Sequence, residues 1–146
     1  MGAVSEILSQ KSDRQLLTAR PDETVLQATQ RMNEHSVGAL LVMDGSRLVG
    51  IFTERDVLRR VVAEERQPNT VRVEEVMTRN ITCVTPESSI DEARHVMRQV
   101  RIRHLPVVSA DGEVRGVISI GDLNAYLTNN QEVEIHYLQE YLHGRT

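Results

Sequence analysis

Residues Gly50–Leu58 read GIFTERDVL, and residues Gly116–Leu123 read GVISIGDL. Each stretch runs from a glycine through two apolar residues to Thr53 or Ser119. Two variable residues and an aspartate follow, Asp56 or Asp122, and then an apolar residue. Working outward from this pair shows that almost the whole chain is written twice. Pro21-Asp22-Glu23-Thr24-Val25 returns as Pro86-Glu87-Ser88-Ser89-Ile90, sixty-five residues later. Ala28 and Met32 return as Ala93 and Met97, and Gly38–Met43 as Arg103–Val108, at the same offset. Ser109-Ala110-Asp111-Gly112 is one residue longer than Asp44-Gly45-Ser46, so the offset becomes sixty-six from there on. A length change in a turn is what a hairpin tolerates.

Each copy predicts the same elements. A short strand, about 15–19 and 81–84, runs into Pro21 or Pro86. A helix follows, about 24–34 and 89–99, because its apolar residues recur at helical spacing. A β-hairpin pairs Ala39–Met43 with Leu48–Phe52 and Leu105–Val108 with Val114–Ile118, across the turn signals Asp44-Gly45 and Asp111-Gly112. A second helix, about 54–64 and 120–128, closes each copy. Val4–Leu8 and Val71–Met77 read as helical lead-ins to the first and second copy. The expected division is a first repeat over 1–64, a polar linker over 65–70, a second repeat over 71–128 and a helical tail over 129–146. One copy of this size exposes a sheet face that a second copy would bury, so the fold expected is α/β (α+β): two βαββα-type repeats packed sheet to sheet about a pseudo-twofold axis.

Bulk properties exclude several function classes. The 146 residues carry a net charge of -4 and 3% aromatics, with no Trp, which speaks against nucleic-acid binding. No apolar run approaches the roughly 18 residues of a membrane span, so no membrane partner is expected. The start MGAVSEILSQKSD lacks the basic opening and apolar stretch of a secretory signal, and Glu6 stands where a myristoylation site wants Ser or Thr. A single cysteine, Cys83, allows no internal disulfide. Together these predict a cytoplasmic protein. The five histidines show no metal-ligand spacing with Cys83 or with each other, and no activated nucleophile, carboxylate pair or P-loop is present.

Two roles are open to the repeated hydroxyl-x-x-Asp pattern. Thr53 and Ser119 fall where a strand ends and a helix begins, so each pair resembles a capping box. The same geometry suits a ligand. A helix N-terminus receives phosphate, the hydroxyl adds a hydrogen bond, and an Asp one turn on can accept from two ribose hydroxyls. Arg55 could add charge, and Gly121 could let a ligand approach the backbone.

Taken with the strands Ala39-Leu40-Leu41-Val42 and His104-Leu105-Pro106-Val107-Val108, this doubled pattern resembles the CBS domain, and the tandem arrangement over about residues 4–128 resembles a CBS pair, or Bateman module. Gly-Ala-Leu-Leu-Val, Thr-Glu-Arg-Asp, Arg-His-Leu-Pro-Val and Ile-Ser-Ile-Gly-Asp are similar to stand-alone bacterial CBS-pair proteins. The resemblance implies a regulatory ligand rather than a catalytic cofactor: an adenine nucleotide such as AMP, ADP, ATP or NAD(H), or S-adenosylmethionine, between the copies. It implies that Asp56 and Asp122 hold ribose hydroxyls, while Thr53 and Ser119 contact phosphate or ribose. Thr82, Val84 and Thr85 would flank adenine, with Leu17, Ala19 and Arg20 as their counterparts in the first copy. Val37, Gly38 and Ala39, with Ile102, Arg103 and His104, would form the cleft wall, Arg103 and His104 also meeting phosphate. Leu17 for Thr82 and Arg20 for Thr85 predict unequal sites.

Four features have plain explanations. Cys83 is expected to be a buried, inert thiol, and Met32, Met43, Met77 and Met97 to fill core. Arg59-Arg60 reads as a solvated face, and His104 as a cleft or core histidine rather than a base. The tail segment Glu132–Leu142 is amphipathic and suits a partner subunit or its own module. The function expected is non-enzymatic nucleotide sensing that acts on a protein partner in trans, and the resemblance to CBS pairs implies a homodimer with its modules side by side in a flat disc. A purely structural dimerisation module, or a nucleotide-processing enzyme, is the alternative.

Overall fold

The structure, a computed structural model, describes residues 2–11 and 16–129. The amphipathic tail over 130–146 lies outside the described residues.

The chain opens with α1 (Val4–Gln10), β1 (Thr18–Ala19) and α2 (Val25–His35). A hairpin of β2 (Ala39–Asp44) and β3 (Arg47–Thr53) leads into α3 (Glu54–Val57), which runs on as a π-helical turn over Leu58–Val62. The second copy has α4 (Val73–Val76), α5 (Ile90–Val100), β4 (His104–Val108), β5 (Val114–Ser119) and a helix α6 over 120–129. One sheet has the order β1-β2-β3, with β1 parallel to β2; the other pairs β4 with β5. Equivalent details recur in both copies. The hairpins are irregular at Val42/Met43 and Val107/Val108, and the long helices end on left-handed Ser36 (φ 54°) and Arg101 (φ 57°).

Strand alternation divides the apolar residues between two layers. Leu40, Val42 and Phe52 point into a first core with Val25, Ala28 and Met32 of α2. Leu105, Val107 and Ile118 point into a second with Ile90, Ala93 and Met97 of α5. The opposite faces meet each other: Ala39, Leu41 and Ile51 pack with Val114 and Val117. Both faces of the first sheet are therefore covered, which is why Leu40-Leu41-Val42 is an unbroken apolar run, each residue fully buried.

The lead-in helices correct the expected arrangement. Each packs on the other copy. Val4 and Ile7 of α1 sit in the second core, and Val73 and Val76 of α4 in the first. The backbone contacts match position by position. Val4 N–H donates to Ser88 O and Val73 N–H to Glu23 O, both at 2.8 Å. Ala3 bridges Ser89, and Thr24 bridges Arg72. The two copies thus share one exchanged core system and form one pseudo-symmetric unit.

Three local expectations also change. The second helix of copy one is mostly a π turn, with Ala63 N–H reaching Leu58 O at 2.9 Å. This wide turn buries Val61 and leaves Leu58 and Val62 each 61% exposed. The strand expected over 81–84 shrinks to one bridge, Val84 with Val107. Leu41 N–H donates to Leu17 O in copy one, but its counterpart Pro106 has no N–H to offer. Val84 faces the core, and its neighbour Cys83 is therefore exposed rather than buried. Partial desolvation still pushes the Cys83 thiol above its ordinary value. Met32, Met77 and Met97 are core residues, while Met43 is half-buried.

Candidate functional site

Both repeated motifs fold as capping boxes. Asp56 N–H donates to Thr53 Oγ1 (3.3 Å), and Thr53 N–H donates to Asp56 Oδ2 (2.9 Å). Asp122 N–H donates to Ser119 Oγ (3.0 Å), and Ser119 N–H to Asp122 Oδ2 (2.8 Å). The cap engages one carboxylate oxygen, so capping leaves the other available. The further partners of the carboxylate differ between the copies: Asp56 is met at its other oxygen, Oδ1, whereas Asp122 is met by Lys11 at the capping oxygen, Oδ2.

Around Asp122 the copies part to leave a cleft of about 410 Å³. Copy two supplies Ser119, Gly121, Asp122 and His104 from the ends of β5, α6 and β4. Copy one supplies Leu17, Val37, Gly38 and Ala39 from the ends of β1 and β2. The chain brings these eight residues together because each lies at the end of a strand or at the start of the helix that follows it. Apolar residues and a few polar side chains share the walls, and Lys11, Ser119 and Asp122 are bonded together there, a composition that suits a small-molecule site. Residues not anticipated from sequence complete it: Leu16, Ser36, Arg115, Gly116, Val117, and Leu8 and Lys11 of the lead-in segment. Leu8 and Lys11 were hidden because α1 packs on the opposite copy. The glycine before each motif offered a signal. A Cβ on Gly116 would stand 3.0 Å from Leu8 Cδ2, and one on Gly50 would stand 2.5 Å from Met77 Sδ. These glycines are where the lead-ins cross the sheets.

Lys11 Nζ donates to Asp122 Oδ2 and to Val117 O, each at 2.8 Å. Burial is the largest influence on Asp122 and opposes its charge. The Lys11 ammonium and the Ser119 N–H outweigh it, and the carboxyl titrates below its ordinary value. His104 is held below its usual range by burial, which keeps the imidazole neutral at the cleft wall. The Glu54 carboxylate lies over Gly38, in the space a Cβ would take, and its negative charge partly offsets the effect of burial on His104.

The environment of Asp56 is closed. Thr78 Oγ1 donates to Asp56 Oδ1 (3.3 Å), and Arg60 Nε stands 3.9 Å from the same oxygen. Arg60 is thereby more than a solvated side chain, since its Nη1 also donates to Val76 O (2.9 Å) and Met77 O (3.2 Å). Thr78 exchanges both backbone hydrogen bonds with Ile51, which locks the end of α4 onto β3. Asp56 is 5% exposed, and burial pushes its carboxyl above the ordinary value, with the Thr53 N–H and Arg60 only partly compensating. The other residues anticipated for this side do not line the Asp122 cleft. Arg55 reaches across to Arg101 O (3.1 Å), and Arg103 O accepts from Ile120 N–H. Ile102 packs against the second core, to which Val84 belongs, and Thr85 N–H donates to Ser88 Oγ. Thr82 is half-buried, Ala19 belongs to the first core, and Arg20 pairs with Asp22 (3.3 Å). Among the described residues no group of His, Cys, Asp and Glu could hold a metal ion, and no helix is long and apolar enough to cross a membrane.

The CBS-domain family model matches residues 4–63 and again 73–129. The chain belongs to the CBS domain family. It is 34% identical over 149 residues to the mitochondrial CBS domain-containing protein CBSX3 of Arabidopsis thaliana, covering 97% of this chain and 72% of that one. Among solved structures, a CBS-domain protein from Burkholderia ambifaria MC40-6 superposes with a TM-score of 0.85 at 42% identity, over 89% of this chain and 96% of the other. The CBS pair of protein MJ0100, solved with 5'-methylthioadenosine and S-adenosyl-L-methionine, shares the fold at a TM-score of 0.78 and 24% identity, over 89% of this chain and 98% of that one. CBS pairs are commonly regulatory sensors of adenosine-containing ligands and often oligomerise.

Proposed function

We propose that this CBS pair is a regulatory adenine-nucleotide sensor that takes one ligand per chain, in the cleft over Asp122. The observation that carries this is the contrast at the two cap carboxylates. Asp122 borders an open inter-copy cleft of about 410 Å³, whereas Asp56 is 5% exposed and bonded to Thr78. Asp122 would accept from the ribose hydroxyls, and Ser119 and the start of α6 would face phosphate. Leu17 and the Val37–Ala39 wall would hold the base. The neutral His104 would donate or accept one hydrogen bond there rather than act as a base.

Of the expected site residues, Thr53, Arg55, Asp56, Thr82, Val84, Thr85, Ile102 and Arg103 then serve fold and inter-copy contact. The structural-module alternative fits that half of the molecule. Output would come through a homodimer and a partner in trans, without catalysis, since a bound ligand shifts an equilibrium by its differential affinity for two states. The exposed Leu58 and Val62 of the π turn offer the apolar face for the second copy. Calorimetric titration with AMP, ATP, NADH and S-adenosylmethionine tests the proposal. One ligand should bind at one site per chain, unchanged in composition afterwards. Silence from all four in folded protein would leave both motifs as helix caps alone.

A further inference from the structure

We propose that Lys11 is a ligand-displaced ammonium that restricts the Asp122 cleft to anionic ligands bearing a vicinal diol. This rests on the reading of the cleft as a nucleotide site and names the charge class it takes.

Lys11 Nζ bonds Asp122 Oδ2 and Val117 O, each at 2.8 Å, and the lysine and aspartate side chains are each 24% exposed. The ammonium therefore shares Oδ2 with the Ser119 N–H of the cap, and ribose hydroxyls that span both carboxylate oxygens would have to take its place there. Its base is held firmly. Val4 and Ile7 of α1 are buried in the second core, and Leu8 lies against Gly116 at the cleft margin. Lys11 itself follows the last turn of α1 and reaches Asp122 on a flexible four-carbon stem.

A diol that spans both oxygens of Asp122 displaces the ammonium from Oδ2 within a mostly apolar cleft, and a partly desolvated charge left with only the Val117 carbonyl is costly. A ligand phosphate would give the displaced ammonium a new charge-assisted hydrogen bond. A neutral nucleoside offers no such partner. A cationic adenosyl sulfonium adds repulsion, from Lys11 and from Arg115 on the same cleft. The sealed half provides an internal control. There the aspartate oxygen is met by the Thr78 hydroxyl and by Arg60, and no lysine occupies the place.

The test is calorimetry on the full chain with AMP and adenosine, comparing wild type with Lys11→Met and Lys11→Arg. Wild type should prefer AMP to adenosine by about tenfold or more, the factor supplied by one charge-assisted hydrogen bond. Lys11→Met should weaken AMP by about tenfold and tighten adenosine several-fold, because Asp122 loses its competitor. Lys11→Arg should keep the preference. Equal shifts for both ligands in Lys11→Met would overturn the role of Lys11 while leaving the nucleotide site standing. Binding of neither ligand to any of the three proteins would overturn the nucleotide site and this inference with it.

Discussion

The surroundings of Asp56 and Asp122 start from one sequence pattern and end as opposites. Both aspartates complete a capping box with the preceding hydroxyl residue, with matching bonds of about 3 Å. The difference lies in the lead-in segment that crosses each sheet. After α4 the chain turns extended at Met77 (ψ 157°), so Thr78 pairs with Ile51 and its hydroxyl closes over Asp56. After Leu8 the helix α1 continues to Gln10, and the residue that comes back to Asp122 is Lys11, on a long and flexible stem. A short side chain on paired backbone makes a seal. A lysine on a helix end makes a contact that a ligand can exchange. One repeat has kept the cap, and the other has added a cleft to it.

The largest effect expected is on binding. Asp122→Ala should weaken AMP by about 100-fold or more, since two charge-assisted hydrogen bonds at about 1.5–3 kcal/mol each are lost. Asp56→Ala should leave AMP affinity within about twofold. Calorimetry on both variants checks this, and loss of binding in Asp56→Ala would break the contrast between the clefts.

Stability should reverse the ranking. Asp56→Ala strands the Thr53 N–H and the Thr78 hydroxyl in a closed environment, at about 1–3 kcal/mol each, so a loss of about 2–4 kcal/mol is expected in urea unfolding. At the less buried Asp122, alanine should cost about 1 to 2 kcal/mol, because the Ser119 N–H regains water and Lys11 keeps its bond to Val117 O while losing the carboxylate. Equal losses would mean that the Asp122 cleft is as dry as its counterpart. Thr53→Ala and Ser119→Ala should then be close to one another, about 0.5–2 kcal/mol each, because the cap itself is common to both copies.

The pH dependence sharpens the comparison by sign. Asp56 binds its proton more tightly in the folded chain than in the unfolded one. Its contribution therefore falls as pH rises from about 4, the ordinary aspartate value, through the raised folded value. Asp122 is depressed in the folded chain, so its contribution is present above about pH 4 and is lost as pH falls through the lower folded value. Unfolding of wild type, Asp56→Asn and Asp122→Asn between acid and neutral pH should show the two differences sloping in opposite directions. Parallel slopes would sink the assignment of a sealed and an ion-paired carboxylate.

Much of the fold was legible in the residues because its rules are local. The unbroken apolar run Ala39-Leu40-Leu41-Val42 marks a strand buried on both faces, and helical spacing over Val25, Ala28 and Met32 sets the buried face of α2. The capping boxes need only three residues of separation. Asp-Gly turns place Gly45 (φ 64°) and Gly112 (φ 88°) where positive φ is required. Even the shortened strand at Val84 has a cause in the sequence, the missing N–H of Pro106, although its consequence for Cys83 emerges only when the sheet is assembled.

The repeat, the buried faces of the long helices, the two caps and the family were legible in the residues alone. Tertiary structure alone decided that the lead-ins exchange copies, that Thr78 seals Asp56 and that Lys11 holds Asp122. The physical reason is range. Local periodicity and capping act within a few residues, whereas Lys11 and Asp122 meet across 111 positions of chain. Which segment covers which carboxylate follows from how two stacked sheets place the crossing helices, and no short-range pattern carries that information.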